Sequence, residues 1–325
     1  MTTPDSTGVH STEPAGASSP QPAGLIYQHA LAYLIGLEGV ALMKAFAGEF
    51  DAAFTRARLA EVRTLLDSTA IPGDGVEIPP MSAVSAYDGW ARTYDSPDNG
   101  IFAIEEPVLR PMLDRLPAGV AVDAACGTGR HAAHLALSGH RVHGFDISAE
   151  MLAVAAQKVP GGEFREADVR DLPLPDSCAD LVVNALALAH IEDLAPVFRE
   201  AARVLRPGGH FVISDTRSHF VGSPLYPLVK CDVDDNVGYI PTWRHATSDY
   251  LQAAIPAGFA VRECQEPLRP GPIVDPSSPP EPEPIDPAYP PDVWNLHEWA
   301  AEAANATYRD ESCLIVWDFE LEGPR

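Results

Sequence analysis

Two glycines, Gly127 and Gly129, stand in "VAVDAACGTGRHAAHLA" (residues 120–136), where a strand, a tight turn and a helix succeed one another. Lacking a Cβ, they let backbone approach a guest closely, and the helix that follows points unpaired N–H groups at it. The spacing Gly127-x-Gly129-x-x-Ala132 also satisfies the dinucleotide pattern, and Asp146, ending the next strand, is placed to accept from a ribose. Groups suited to proton transfer follow: His190 in "ADLVVNALALAHIED" (179–193), then His219 and His245. A glycine turn of this kind also occurs with no ligand at all, so the rest of the chain must decide.

Those residues need a frame, and the pattern supplies one. From Val120 onward, "GVAVDA", "RVHGFDI", "EFREADV", "ADLVVNALAL" and "HFVISDT" read as strands, with helices between them. Gly139 stops the first of these helices, and Ser148 caps the second with Glu150 in its first turn. Such alternation predicts an α/β fold, a mostly parallel sheet with helices on both faces, and a ligand crevice beyond the carboxyl ends of the strands. "FAVRECQ" and "SCLIVWDFEL" add two more strands, separated by the proline-rich 266–291 and a helix predicted over 292–306. Residues 216–246 read as aromatic, charged and irregular. Upstream, apolar residues recur at helical spacing from Leu25 to Leu66 with a break near Gly48, predicting a helical hairpin. A further helix is expected over 84–95, carrying "YDGWARTYD", and another over 104–115.

Composition narrows the partners. A net charge of −24 over 325 residues repels phosphate backbones and anionic headgroups, which argues against nucleic acid and membrane surfaces. The five cysteines (126, 178, 231, 264, 313) lack metal-ligand spacing, so a reduced cytoplasmic setting and no metal site are expected. Residues 1–23 are polar and rich in Pro, Ser and Thr, a disordered tail without the pattern of a signal peptide. His29, Glu38 and Lys44 interrupt the apolar run 25–50, which speaks against a membrane span.

Four stretches in order then carry a resemblance: "VAVDAACGTG", the strand end at Asp146, "EADVRDLPLP" (166–175) and "ADLVVNALALAHIED", with "LRPGG" (205–209) opening the fifth strand. Over roughly residues 84–265 the chain resembles the class I S-adenosylmethionine (SAM)-dependent methyltransferases. The resemblance implies a Rossmann-like seven-stranded sheet with an antiparallel last strand. Residues 24–80 then form a helical hairpin and linker before a methyltransferase domain over 81–325, with acceptor-side insertions at 216–246 and 266–310. It also implies SAM as cofactor. Asp123 and the Ala125–Gly127 backbone would position the methionine amino group, with Gly129 completing the turn. Asp146 and Ile147 would meet the ribose end, Asp168 the adenine amino group, and the Val169 backbone a ring nitrogen. Asn184 and Ala185 would lie under the methionine portion. Tyr87, Trp90 and Tyr94 match the helix that closes over the cofactor carboxylate. Ala125 replaces the family's first glycine, and a methyl there is expected to require negative φ.

The chemistry implied is in-line methyl transfer without metal, in which positioning supplies much of the rate. A hydroxyl acceptor would need a base, for which His190, His219 and His245 are the candidates; that slightly favours oxygen. Asp215, Phe220, Tyr226, Tyr239, Trp243 and Trp294, with His297 and Trp299, are expected to form the pocket for a small-molecule acceptor such as a specialised metabolite. His131 and His134 read as structural or solvent-facing. The N-terminal helices pack on the domain or on a second copy, the latter giving a homodimer. Two other functions fit the same turn: an NAD(P)-dependent oxidoreductase, and a non-catalytic SAM-binding module.

Overall fold

In the computed structural model, which describes residues 24–97, 99–217 and 225–323, the chain opens with a short strand β1 (Ile26–Gln28) and two helices, α1 (Ala30–Phe46) and α2 (Ala52–Asp67). His29 caps the first helix by accepting from the Leu31 N–H, and Asp51 caps the second through Phe54. Gly48, at φ +97°, makes the break between them. Strand β2 (Val76–Ile78) pairs antiparallel with β1, and α3 (Ala83–Trp90) and α4 (Phe102–Asp114) follow. The helix expected over 84–95 stops at Trp90, and residues 91–95 form turns.

The alternating region then runs β3 (Val120–Ala124), α5 (Arg130–Leu137), β4 (Arg141–Asp146), α6 (Ala149–Lys158), β5 (Glu163–Glu166), β6 (Ala179–Ala185), a 3₁₀ turn at Leu188–His190, α7 (Ala195–Val204) and β7 (Leu205–Thr216). After it come β8 (Leu225–Cys231), β9 (Val237–Trp243), α8 (Thr247–Ala254), β10 (Phe259–Gln265), α9 (Val293–Trp299), α10 (Ala301–Thr307) and β11 (Leu314–Leu321). The main sheet has the order β10-β11-β7-β6-β3-β4-β5. All pairings among β3 to β7 are parallel, while β11 runs antiparallel to both of its neighbours. The expected seven-stranded sheet with one reversed last strand is therefore present. An antiparallel strand wedged beside β7 also separates it from the all-parallel order of dinucleotide folds.

The central strands are buried on both faces, as a doubly covered parallel sheet requires. Val122 and Ala124 meet Phe198, Phe211 and Tyr250 on one side, whereas Ala121 meets Leu109, Met112 and Leu135 on the other. The N-terminal hairpin buries Ala30, Leu34, Leu37 and Ala41 against Leu296, Ala300, Ala303 and Ala304 of its own chain. Alanines on α10 let the helices approach closely.

Two expectations need correction. Residues 225–243 are not irregular but form the antiparallel ribbon β8–β9. The single helix expected over 292–306 is two, broken at Ala300, whose φ −138° and ψ 49° leave the helical region. The tail reading for residues 1–23, and the roles of His219 and Phe220, concern residues outside those described. No helix among the described residues is long and apolar enough to cross a membrane.

Candidate functional site

The carboxyl ends of β3, β4 and β6 converge on the glycine turn. Ala125, Gly127 and Gly129 all lie at positive φ (63°, 50° and 76°), and the Cys126 N–H donates to the Phe145 carbonyl at 2.8 Å. The negative φ expected for Ala125 is thus wrong. The chain must reverse within a residue of leaving β3 while Cys126 still bonds β4, and only a left-handed residue at 125 does both. Left-handed backbone costs an alanine about 1–2 kcal/mol, and glycine's greater freedom when unfolded offsets roughly half of that. Ala125→Gly should therefore raise the free energy of unfolding by about 0.5–1 kcal/mol, read from urea melts.

Asp146 braces this turn. Its Oδ2 accepts the Gly127 N–H at 2.8 Å, and its Oδ1 accepts the Ser148 N–H at 3.0 Å. Burial pushes its carboxyl up, against those backbone donors. Asp123, 1 % exposed, is pushed up to about 7 by burial, with the Ala132 N–H pulling the other way. One of its oxygens has no partner, and the same holds for Oδ1 of buried Asn184, whose amide donates to the Ala124 carbonyl at 2.8 Å. Gly127 faces open space: a Cβ there would meet nothing nearer than Tyr94, at 4.0 Å. Ile147 is partly exposed beside Asp146, and Ala185 is half-buried beyond Asn184. Asp168 lies past the end of β5, where Arg170 grips both its oxygens and holds its carboxyl down. Val169 beside it is buried.

The "YDGWARTYD" segment is tied across this edge by its two aspartates. Ser148 Oγ donates to Asp88 at 2.5 Å, while Thr128 in the turn and Lys158 both donate to Asp95, at 2.8 and 2.6 Å. The repeated Tyr-Asp pair, seven residues apart, was the sequence signal for this clamp. Tyr87, Trp90 and Tyr94 pack ring against ring, with Tyr94 next to Gly127. Tyr87 donates its hydroxyl to His190 Nε2 at 2.7 Å. Burial drives His190 down to about 4, against the Pro241 carbonyl beside it, so the imidazole is neutral near pH 7.

Other assigned residues lie apart. Asp215 is wholly buried and structural rather than substrate-facing: it accepts from Ala189 and Thr216 N–H groups and from the Tyr250 hydroxyl at 2.6 Å. His245 is buried with Nε2 3.2 Å from the Leu188 carbonyl. Tyr239, 1 % exposed, donates its hydroxyl to the Gly24 carbonyl at 2.9 Å. Trp243 is half-buried at the ribbon's end. Tyr226 instead joins Tyr33, Tyr308 and His297, where Tyr33 bonds His297 Nε2 at 2.8 Å and the Tyr308 hydroxyl at 3.1 Å. Trp294 stacks edge-on against His297, and the Trp299 indole donates to the Glu283 carbonyl. His134 pairs with Asp114.

A charged network under the turn joins elements far apart in the chain and leaves no local pattern in the residues. Glu105 of α4, fully buried, meets Arg130 at 2.5 Å, His131 at 3.0 Å and the Ser214 hydroxyl at 2.6 Å. Burial would push the Glu105 carboxyl up, but His131 and Arg130 hold it down, to about 2.

Comparison with known proteins gives a match to the family described as "Methyltransferase domain" over residues 122–213. A malonyl-[acyl-carrier protein] O-methyltransferase of Pectobacterium atrosepticum is 39% identical over 88 residues, 27% of this chain and 35% of that one. A demethylmenaquinone methyltransferase of Clavibacter sepedonicus is 32% identical over 162 residues, 48% and 64% of the two chains. Among the curated relatives, the chain spans 35% of one, 53% of a second and 46% of a third. A solved complex of DhpI with SAH shares the fold, with TM-score 0.50 and 21% identity over 74% of this chain and 96% of that one. The matched segment begins inside β3 and ends inside β7, so that over the glycine turn and the parallel core the chain is similar to methyltransferase domains.

Proposed function

We propose that the chain transfers a methyl group from SAM to a small-molecule acceptor, an oxygen on a specialised metabolite being the favoured target. One observation carries the reading: two buried acceptor oxygens, on Asp123 and Asn184, sit without partners beneath an open glycine turn. Orphaned buried acceptors are costly, and a cationic, N–H-rich guest satisfies them. The amino acid end of SAM is such a guest. When bound, SAM supplies an electrophilic methyl carbon on sulfur.

The protein's own residues then have these tasks. Asp123 and Asn184 hold the ammonium end, and Asp146, acceptor-only when ionised, takes the ribose hydroxyls. Asp168, Val169 and Ile147 border the adenine, and Ala185 the methionine chain. Tyr87, Trp90 and Tyr94 exclude water over the turn. His190 is unprotonated at neutral pH and accepts the Tyr87 hydroxyl proton at Nε2, so an acceptor hydroxyl bonded to the Tyr87 oxygen can give its proton to that oxygen as the phenol proton moves to Nε2. Positioning the acceptor in line is worth more than the base, since proximity supplies the larger share of the barrier reduction. The N-terminal helices also offer a homodimer contact in this reading.

Titration calorimetry with SAM, S-adenosylhomocysteine (SAH) and NAD tests the assignment: the first two should bind and NAD should not. NAD binding alone would overturn it, and SAH binding with no turnover on any acceptor would leave a non-catalytic module. A pH dependence follows from Asp123. Raised in the folded protein, it contributes stability that is full below the unfolded value near 4 and is lost as pH rises through about 7. The ammonium guest needs it ionised, so SAH affinity should rise from pH 6 to pH 8 and then level off. Asp123→Asn should bind more weakly and without that slope.

A further inference from the structure

Lys230 is one of only three lysines in a chain with 46 acidic and 22 basic side chains. The other two are committed. Lys44 donates to the Arg309 carbonyl at 2.7 Å and faces Glu311, and Lys158 donates to Asp95. Lys230 Nζ instead lies 3.4 Å from the centroid of the Trp90 ring, with no hydrogen bond or ion pair to any described residue. Burial pushes its ammonium down, and Asp292, which is occupied capping α9, acts from a distance to hold it up.

Its surroundings are those of a recognition surface. Side chains alternate along a strand, so Tyr226, Leu228 and Lys230 share one face of the β8–β9 ribbon. Tyr226 leads to Tyr308 and Tyr33, and beyond them to His297, whose Nδ1 is buried and without a partner. On the far side Arg269 lies over the Trp294 ring at 5.6 Å, again with no carboxylate in contact. In the other direction Trp90 packs on Tyr94, which borders Gly127. Lys230 is therefore linked by a continuous row of aromatic rings to the turn proposed to hold SAM. A half-buried cation that feels Asp292 only from a distance and touches no carboxylate has room for an anion from outside.

We propose that Lys230 anchors a carboxylate on the methyl acceptor, which is a flat, largely apolar acid lying along the Trp90–Tyr226 face. This inference rests on the methyl-transfer reading. Trp90 shields the ion pair from water, the Tyr226 ring borders the apolar body of the acid, and the absence of a guanidinium fork at Lys230 makes charge, more than shape, the criterion. The acid's charge selects; its ring fills.

The test uses the full chain saturated with SAH. 4-Hydroxybenzoate, 1-hydroxy-2-naphthoate and their carboxamides are titrated against wild type, Lys230→Met and Lys230→Arg. Wild type should favour each acid over its amide by about tenfold or more. Lys230→Met should abolish that preference while leaving amide affinity, SAH affinity and melting temperature unchanged, and Lys230→Arg should restore most of it. Equal binding of acid and amide by SAH-loaded wild type, or no binding of either, overturns the inference. So does a parallel loss of both in Lys230→Met, which would mark Lys230 as merely packing α3 to the ribbon. Failure of SAH to bind wild type, read in the first titration, instead removes the methyl-transfer reading.

Discussion

Replacing Asp146 with Asn should weaken SAH binding by about a hundredfold, close to 3 kcal/mol, while the protein stays folded. The size follows from how fully the carboxylate is used. Its two oxygens already receive the Gly127 and Ser148 N–H groups, at 2.8 and 3.0 Å, in a position only 8 % exposed. In the proposed site the remaining lone pairs take the ribose hydroxyls. Asparagine has one acceptor oxygen and presents an NH₂ group where the second should be. Either the turn or the helix start at Ser148 then faces a donor, and the diol loses a charge-assisted partner worth about 1.5–3 kcal/mol. Calorimetry gives the affinity and circular dichroism confirms the fold. Unchanged SAH affinity in folded Asp146→Asn would remove Asp146 from the ligand and leave it as a brace for the turn.

How much of this was legible depends on whether the cause was local. The parallel strands could be read because alternation, Gly139 and the Ser148 cap act within a few residues, and the structure has each of them. The β8–β9 ribbon was missed because Pro227 and Pro241 look like breakers. They face each other across the ribbon, and a two-stranded ribbon tolerates the lost ladder bonds that a central strand would not. Ala300 gave no sign of a helix break, since alanine favours helix intrinsically and tertiary packing imposes the bend. At Ala125 the residue type pointed one way and the geometry another: the Cys126 bond to Phe145 dictates the left-handed turn. Of the site, Asp123, Gly127, Asp146 and Asn184 are gathered at the turn as their strand-end positions required. Asp215 does lie near the end of its strand and Tyr239 in the segment that follows, but burial turns both side chains inward. Glu105, Arg130, Ser214 and Lys230 owe their partners to elements far apart in the chain, and no local pattern encodes that.

The Glu105 network predicts the largest change in stability. Glu105→Ala should lower the unfolding free energy by about 3–5 kcal/mol, and Glu105→Gln by roughly half as much. The alanine variant leaves the Arg130 guanidinium, only 12 % exposed, with Glu106 alone at 3.1 Å, and strips the Ser214 hydroxyl and His131 of their acceptor. Glutamine keeps an oxygen for one of these donors but no charge for Arg130. The pH dependence has a definite sign. A carboxyl held down to about 2 in the folded protein, against about 4.3 when unfolded, contributes stability above the unfolded value that is lost as pH falls through the folded one. Wild type should thus lose stability more steeply than Glu105→Gln between roughly pH 4.5 and pH 2, and urea melts across that range measure the difference. Because Arg130 opens α5 immediately after Gly129, the same variants should also loosen the turn and weaken SAH binding, though less than Asp146→Asn does. Equal acid slopes for wild type and Glu105→Gln, or a loss below about 1 kcal/mol in Glu105→Ala, would mean that water reaches Arg130 and the network is not the foundation of the turn.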